Sequence, residues 1–65
     1  MCEADAYLIK EGQEHLIIES VDTVALEGEN TWRIVNIFGE QRAVRGRIHC
    51  MRLVEHKIFF EEVLS

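Results

Sequence analysis

Gln41-Arg42-Ala43-Val44-Arg45-Gly46-Arg47-Ile48-His49-Cys50 is the stretch that decides the fold class. Val44, Gly46, Ile48 and Cys50 fall on one side of an extended chain. Gln41, Ala43, Arg45, Arg47 and His49 fall on the other. Successive side chains of a strand point to opposite faces, so this period of two, with charge on one side, marks a half-exposed β-strand. Gly46 interrupts it and points to a bulge or sharp bend, as small barrels need at their corners.

The neighbouring segments extend the pattern. Gly39-Glu40 is a tight turn, and residues 31–38 before it form another strand. There Trp32, Ile34, Asn36 and Phe38 alternate with Thr31, Arg33, Val35 and Ile37, and the apolar content of both faces predicts that both are covered. Glu27-Gly28-Glu29-Asn30 reads as a turn, and residues 15–20 as a strand with β-branched Ile17 and Ile18. Residues 21–26 either continue that strand after a bend near Asp22 or start a new one. Lys10-Glu11-Gly12-Gln13 carries a glycine in a short polar segment, a hairpin signal, and residues 4–9 form the first strand. On the other side, residues 51–54 continue or restart the 41–50 strand. Glu55-His56-Lys57 turns the chain and residues 58–63 form the last strand, with room for helix only near 61–65. Short strands spaced about 8–12 residues apart indicate a small sandwich or barrel. The expectation is an all-β protein: one domain over residues 1–65, an SH3-like antiparallel barrel of five to seven short strands. A chain this short buries only roughly 60% of its unfolded surface, and this, with the apolar faces, favours a two-fold homodimer.

Composition narrows the function. Twelve acidic residues against seven basic ones give a net charge of −5, which opposes non-specific nucleic-acid binding. Four of the positive charges, Arg42, Arg45, Arg47 and Arg52, nevertheless lie close together. No apolar run approaches the length of a membrane span, and the acidic start lacks the features of a secretion signal. These features predict a cytoplasmic protein with reduced thiols. There is no nucleophile elbow and no phosphate-cradling glycine loop, so binding rather than catalysis is expected.

Metal ligands remain to be weighed. Cys50 and Met51 read as core fillers, and on a regular strand Cys50 faces away from both His49 and Met51. His15 and His56 flank turns and read as surface residues. Cys2 differs, because core packing has least claim on a residue at the end of a chain. The Met1 amine, the Cys2 amide nitrogen and the Cys2 sulfur form two fused five-membered chelate rings. Such nitrogen and thiolate donors suit square-planar Ni(II) or Cu(II). One cysteine per chain makes a sparse site. A dimer that joins two N-termini would supply two thiolates.

Met1-Cys2-Glu3-Ala4-Asp5-Ala6-Tyr7, Val35-Asn36-Ile37-Phe38-Gly39-Glu40-Gln41 and the ending around Ile58-Phe59-Phe60-Glu61 occur together in the order and spacing of one family. The chain resembles, over nearly its whole length, the CooT family of accessory proteins for nickel insertion into carbon monoxide dehydrogenase. The resemblance implies an SH3-like β fold and a homodimer that binds Ni(II) through the family's N-terminal cysteine, here Cys2. Its partners would be the dehydrogenase or its maturation proteins. Two other classes of reading stand beside it. A small barrel can bind RNA, with Arg45, Arg47 and His49 on one face and Trp32 and Phe38 as stacking surface. A protein-interaction module would instead use its apolar surface.

Overall fold

Glu11 and Gly12 both have positive φ (54° and 75°), the conformation of the two-residue hairpin turns that match strand twist. Lys10 and Gln13 pair directly across them. The computed structural model, which describes residues 3–62, carries this hairpin into a closed barrel. The strands are β1 (Ala4–Lys10), β2 (Gln13–Gly28), β3 (Thr31–Asn36), β4 (Gln41–Arg52) and β5 (Lys57–Glu62). Each pairs with the next in antiparallel fashion, and β5 closes the ring on β1 in parallel. The small all-β barrel is the expected fold. Its strand count lies at the lower end of the expected range, because residues 13–28 form one long strand. The parallel closure was not foreseen. No helix occurs among the described residues, and Glu61 and Glu62 belong to β5. Val63, read as the end of the last strand, and residues 64–65 of the stretch left open to helix lie outside the described residues.

β2 serves two neighbours by bending. Ser20 has a φ of 56°, and the ladders to β1 and β3 both slip nearby. Strict alternation would carry the inward face from Ile18 to Ser20 and Asp22. The irregularity at Ser20 resets the phase and brings Val21 inward. The Ser20 N–H donates to an Asp5 carboxylate oxygen (3.1 Å), and the Ile37 N–H donates to the Ser20 carbonyl (2.9 Å). The expected bend is therefore real, but it lies at Ser20, where hydrogen bonds offset the cost of left-handed backbone at a non-glycine residue.

The core comprises Ala6, Ile18, Val21, Ile34, Val44, Ile58 and Phe60, with Trp32 and Ile48 packed against it. Phe60 and Ile34 are wholly buried. Each such side chain contributes about 1.5–3 kcal/mol relative to exposure. Gly46 lets β4 and β5 approach closely beside this core. A Cβ there would overlap the Glu61 carbonyl oxygen and lie 3.0 Å from its carbon, so β4 and β5 can close only over a glycine. The Gly46 N–H donates to the Asn30 carbonyl (2.7 Å), and its own carbonyl accepts from Trp32 Nε1 (3.0 Å). The sharp feature expected at Gly46 is this close approach. The bulge in β4 falls instead between Ile48 and Cys50.

Candidate functional site

Asn36 ends β3 early. It is only 4% exposed, and its Oδ1 accepts from the Phe38 and Glu40 N–H groups at 3.0 and 2.8 Å. Its Nδ2 donates to Glu40 Oε1 at 2.8 Å. A side chain that satisfies backbone donors in this way competes with the strand ladder and makes a turn. Ile37 and Phe38 are therefore in the turn and not in the strand. Phe38 is 75% exposed, which corrects the expectation that it is a covered strand residue.

The bulge at His49 re-aims the residues after it. Cys50 pairs with Phe59, which is stacked on Tyr7 (ring centroids 5.5 Å apart) outside the core cluster. His49 Nδ1 lies 3.5 Å from Glu61 Oε2 on that same outer face. His49 and Cys50 thus share a face, where regular alternation would separate them, and Cys50 is half-buried rather than a core filler. Met51 turns toward the barrel end beside Ile58 and is exposed.

The histidines are scattered. His15 pairs with Leu8 near the β1–β2 hairpin, His49 is on the outer wall, and His56 is in the β4–β5 turn at the other end. Among the described residues no three His, Cys, Asp or Glu side chains converge as a metal site. Cys2 and Met1 lie outside the described residues.

The start of β1 is held on two sides. β1 begins at Ala4, and the Asp5 N–H donates to the His56 carbonyl (2.9 Å). The Ser20 hydroxyl lies 3.4 Å from Glu3 Oε2. The start of β1 is therefore flanked by the β4–β5 turn on one side and by the Ser20 corner on the other. Beside Ala4 is a hollow of about 250 Å³ with almost wholly apolar walls, lined by Met51, Leu53, His56 and Ile58 among others. Its residues come from distant parts of the chain, and no local pattern in the sequence marks it.

The basic cluster is partly neutralised. Arg47 Nε donates to Glu61 Oε1 at 2.6 Å, and Arg52 Nη1 donates to Glu55 at 3.2 Å. Hydrogen bonding from Arg47 holds the Glu61 carboxyl below its ordinary range, against the opposing effect of burial. The pair's contribution is present above the unfolded carboxyl's titration and is lost as pH falls through the lowered folded value. Trp32, offered as a stacking surface, is turned inward, with its ring centroid 6.0 Å from that of Phe60. Of the two aromatics in the RNA reading, only Phe38 presents its ring to solvent.

The family model described as CO dehydrogenase accessory protein CooT matches residues 1–61. No curated protein matches the chain. The structure is similar to the crystal structure of a protein assigned as CooT from Carboxydothermus hydrogenoformans. The TM-score is 0.86 at 32% sequence identity, covering 97% of this chain and 100% of that one.

Proposed function

From the premise that the chain belongs to the CooT family of CO dehydrogenase accessory proteins, we propose that it carries Ni(II) as cargo for maturation of that enzyme. The observation that carries the reading is that the family match runs from residue 1, and so takes in Cys2 as well as the barrel. The Cys2 thiolate is the principal donor. The Met1 amine and the Cys2 amide nitrogen complete the chelate, and a second copy supplies the second thiolate. One nickel is then held between two chains, each a single small β-barrel domain. The protein works as a cytoplasmic carrier rather than an enzyme, and its partners are the dehydrogenase or its maturation proteins. The described residues contain no helix long and apolar enough to cross a membrane.

Physical chemistry supports this donor set. Soft thiolate with nitrogen donors in a plane suits Ni(II), and coordination displaces the thiol and amide protons. Binding therefore weakens as pH falls. Copper(II) binds most such sites more tightly, so delivery of nickel depends on the metal supplied to the carrier as well as on its ligands.

The test is titration of the reduced protein with Ni(II), followed by absorption. Wild type is expected to develop a thiolate-to-nickel charge-transfer band. Cys2→Ser is expected to lose the band and more than about 100-fold in affinity, because second-shell changes alone cost about 10–100-fold at metal sites. Its far-UV circular dichroism should be unchanged, since Cys2 precedes the first strand. Equal binding by Cys2→Ser would refute the assignment.

A further inference from the structure

β2 takes its two neighbours in succession. β1 pairs with it from Gln13 to Val21, and β3 from Val21 to Gly28. The side of residues 13–19 that faces away from β1 therefore has no strand partner among the described residues. The bond from the Ile37 N–H to the Ser20 carbonyl (2.9 Å) marks where β3 takes over. Alternate residues of an antiparallel strand turn their N–H and C=O groups away from the partner they pair with. Here those groups form an open edge of roughly 20 Å, at about 3.3 Å per residue. Such an edge is a template for another strand, and it carries no proline to block it. The ladder to β1 slips between Leu16 and Ile18, which bends the edge and limits regular pairing to short runs. The fitting occupant is thus a short segment rather than a long strand.

The edge is also one wall of a hollow of about 220 Å³. Leu16 and Glu19 line it from β2, Phe38 and Glu40 from the β3–β4 turn, and Arg42 from β4. The far wall is set by the fold itself. Asn36 Oδ1 accepts from the Phe38 and Glu40 N–H groups and holds Phe38 outward. Leu16 is 52% exposed. Two presented apolar side chains therefore flank an open backbone edge. That combination serves β-strand addition, in which main-chain bonds supply affinity and contacts to alternate side chains supply selectivity.

Charge selects the occupant. Glu14 and Glu19 are exposed along the edge and Glu40 is on the facing turn, whereas Arg42 is the one cation lining the hollow. A second copy pairing edge to edge would bring these carboxylates against their own counterparts, and like charges across a strand pair are destabilising. Lysine or arginine side chains would be attracted instead. We propose that the free edge of β2 receives a short extended segment of a partner protein in which basic and apolar residues alternate. The proposal stands apart from the carrier reading, since it uses no residue of the proposed nickel site.

The probe is a fluorescein-labelled Lys-Val-Lys-Val-Lys-Val peptide, titrated with the whole reduced protein and followed by anisotropy. It is compared with the same peptide N-methylated at every backbone amide and with a Glu-Val-Glu-Val-Glu-Val peptide. The lysine peptide is expected to bind with a dissociation constant below about 1 mM, and the other two at least about tenfold more weakly. In heteronuclear NMR the amides of residues 14–19 are expected to shift and to exchange more slowly when it binds. Glu19→Lys and Phe38→Ala are each expected to weaken binding about 3–10-fold, while Glu29→Lys in the β2–β3 turn stays within about twofold. Absence of binding at about 1 mM, equal binding by the methylated or the glutamate peptide, or shifts confined to other residues would overturn the proposal. So would concentration-dependent protection of the same amides in the protein alone, which would give the edge to a second copy. Cys2→Ser is expected to bind the peptide as wild type does, so loss of nickel and loss of peptide are separate results.

Discussion

Gly46→Ala is expected to lose more than about 3 kcal/mol of stability, a large share of what a barrel of this size has. Overpacking a well-filled site costs about 1–3 kcal/mol, occasionally more, when side chains can move aside. Here the obstacle is backbone. The new methyl would overlap the Glu61 carbonyl oxygen and crowd the Glu62 Cα at 3.2 Å, and neither can rotate away. Separating the strands would also stretch the hydrogen bonds of Gly46 to Asn30 and Trp32. At about 0.05–0.15 kcal/mol per residue, a chain of 65 residues has only about 3–10 kcal/mol in total. Urea unfolding followed by circular dichroism measures the loss. A transition within about 1 kcal/mol of wild type would mean that β4 and β5 do not approach as described.

Phe60→Ala comes next in size, with an expected loss of about 3–5 kcal/mol from transfer and cavity terms. Phe60 is wholly buried at the centre of the barrel and is packed on Trp32. The informative comparison is Phe38→Ala. The same substitution at an exposed phenylalanine should fall within about 0.5 kcal/mol of wild type. Equal losses at both positions, measured by the same urea titration, would contradict the division into a core aromatic and a presented one.

Those two phenylalanines also show where sequence reading succeeded and failed. Phe60 lies in an apolar run whose strand character was legible, and residues 41–48 alternated as the barrel requires. Phe38 continued the alternation of β3 equally well on paper. Its fate is decided by Asn36, whose side chain captures two backbone N–H groups and stops the strand. The phase of β2 was hidden for a related reason: the left-handed residue at Ser20 brings Val21 inward, and the ladder to β3 slips again between Val21 and Thr23. The bulge at His49 does the same in β4 and places Cys50 outside. Period-two patterns carry no mark of such resets. The parallel closure of β5 on β1 was out of reach because it joins the two ends of the chain.

The candidate site divides similarly. Cys2 stood out through its chemistry and through the family resemblance, both of which are local to the sequence. The hollow beside Ala4 did not, since Ala4, Met51 and Ile58 meet only once β1, β4 and β5 are assembled. The barrel thereby joins the start of β1 to an apolar turn near the other end of the chain, through the Asp5 N–H and the His56 carbonyl.

The most direct measurement is native mass spectrometry of the nickel-loaded, reduced protein beside Cys2→Ser. The predicted species is two chains with one nickel, absent in the variant. A single chain carrying its own nickel, or the same two-chain nickel species formed by Cys2→Ser, would contradict the account.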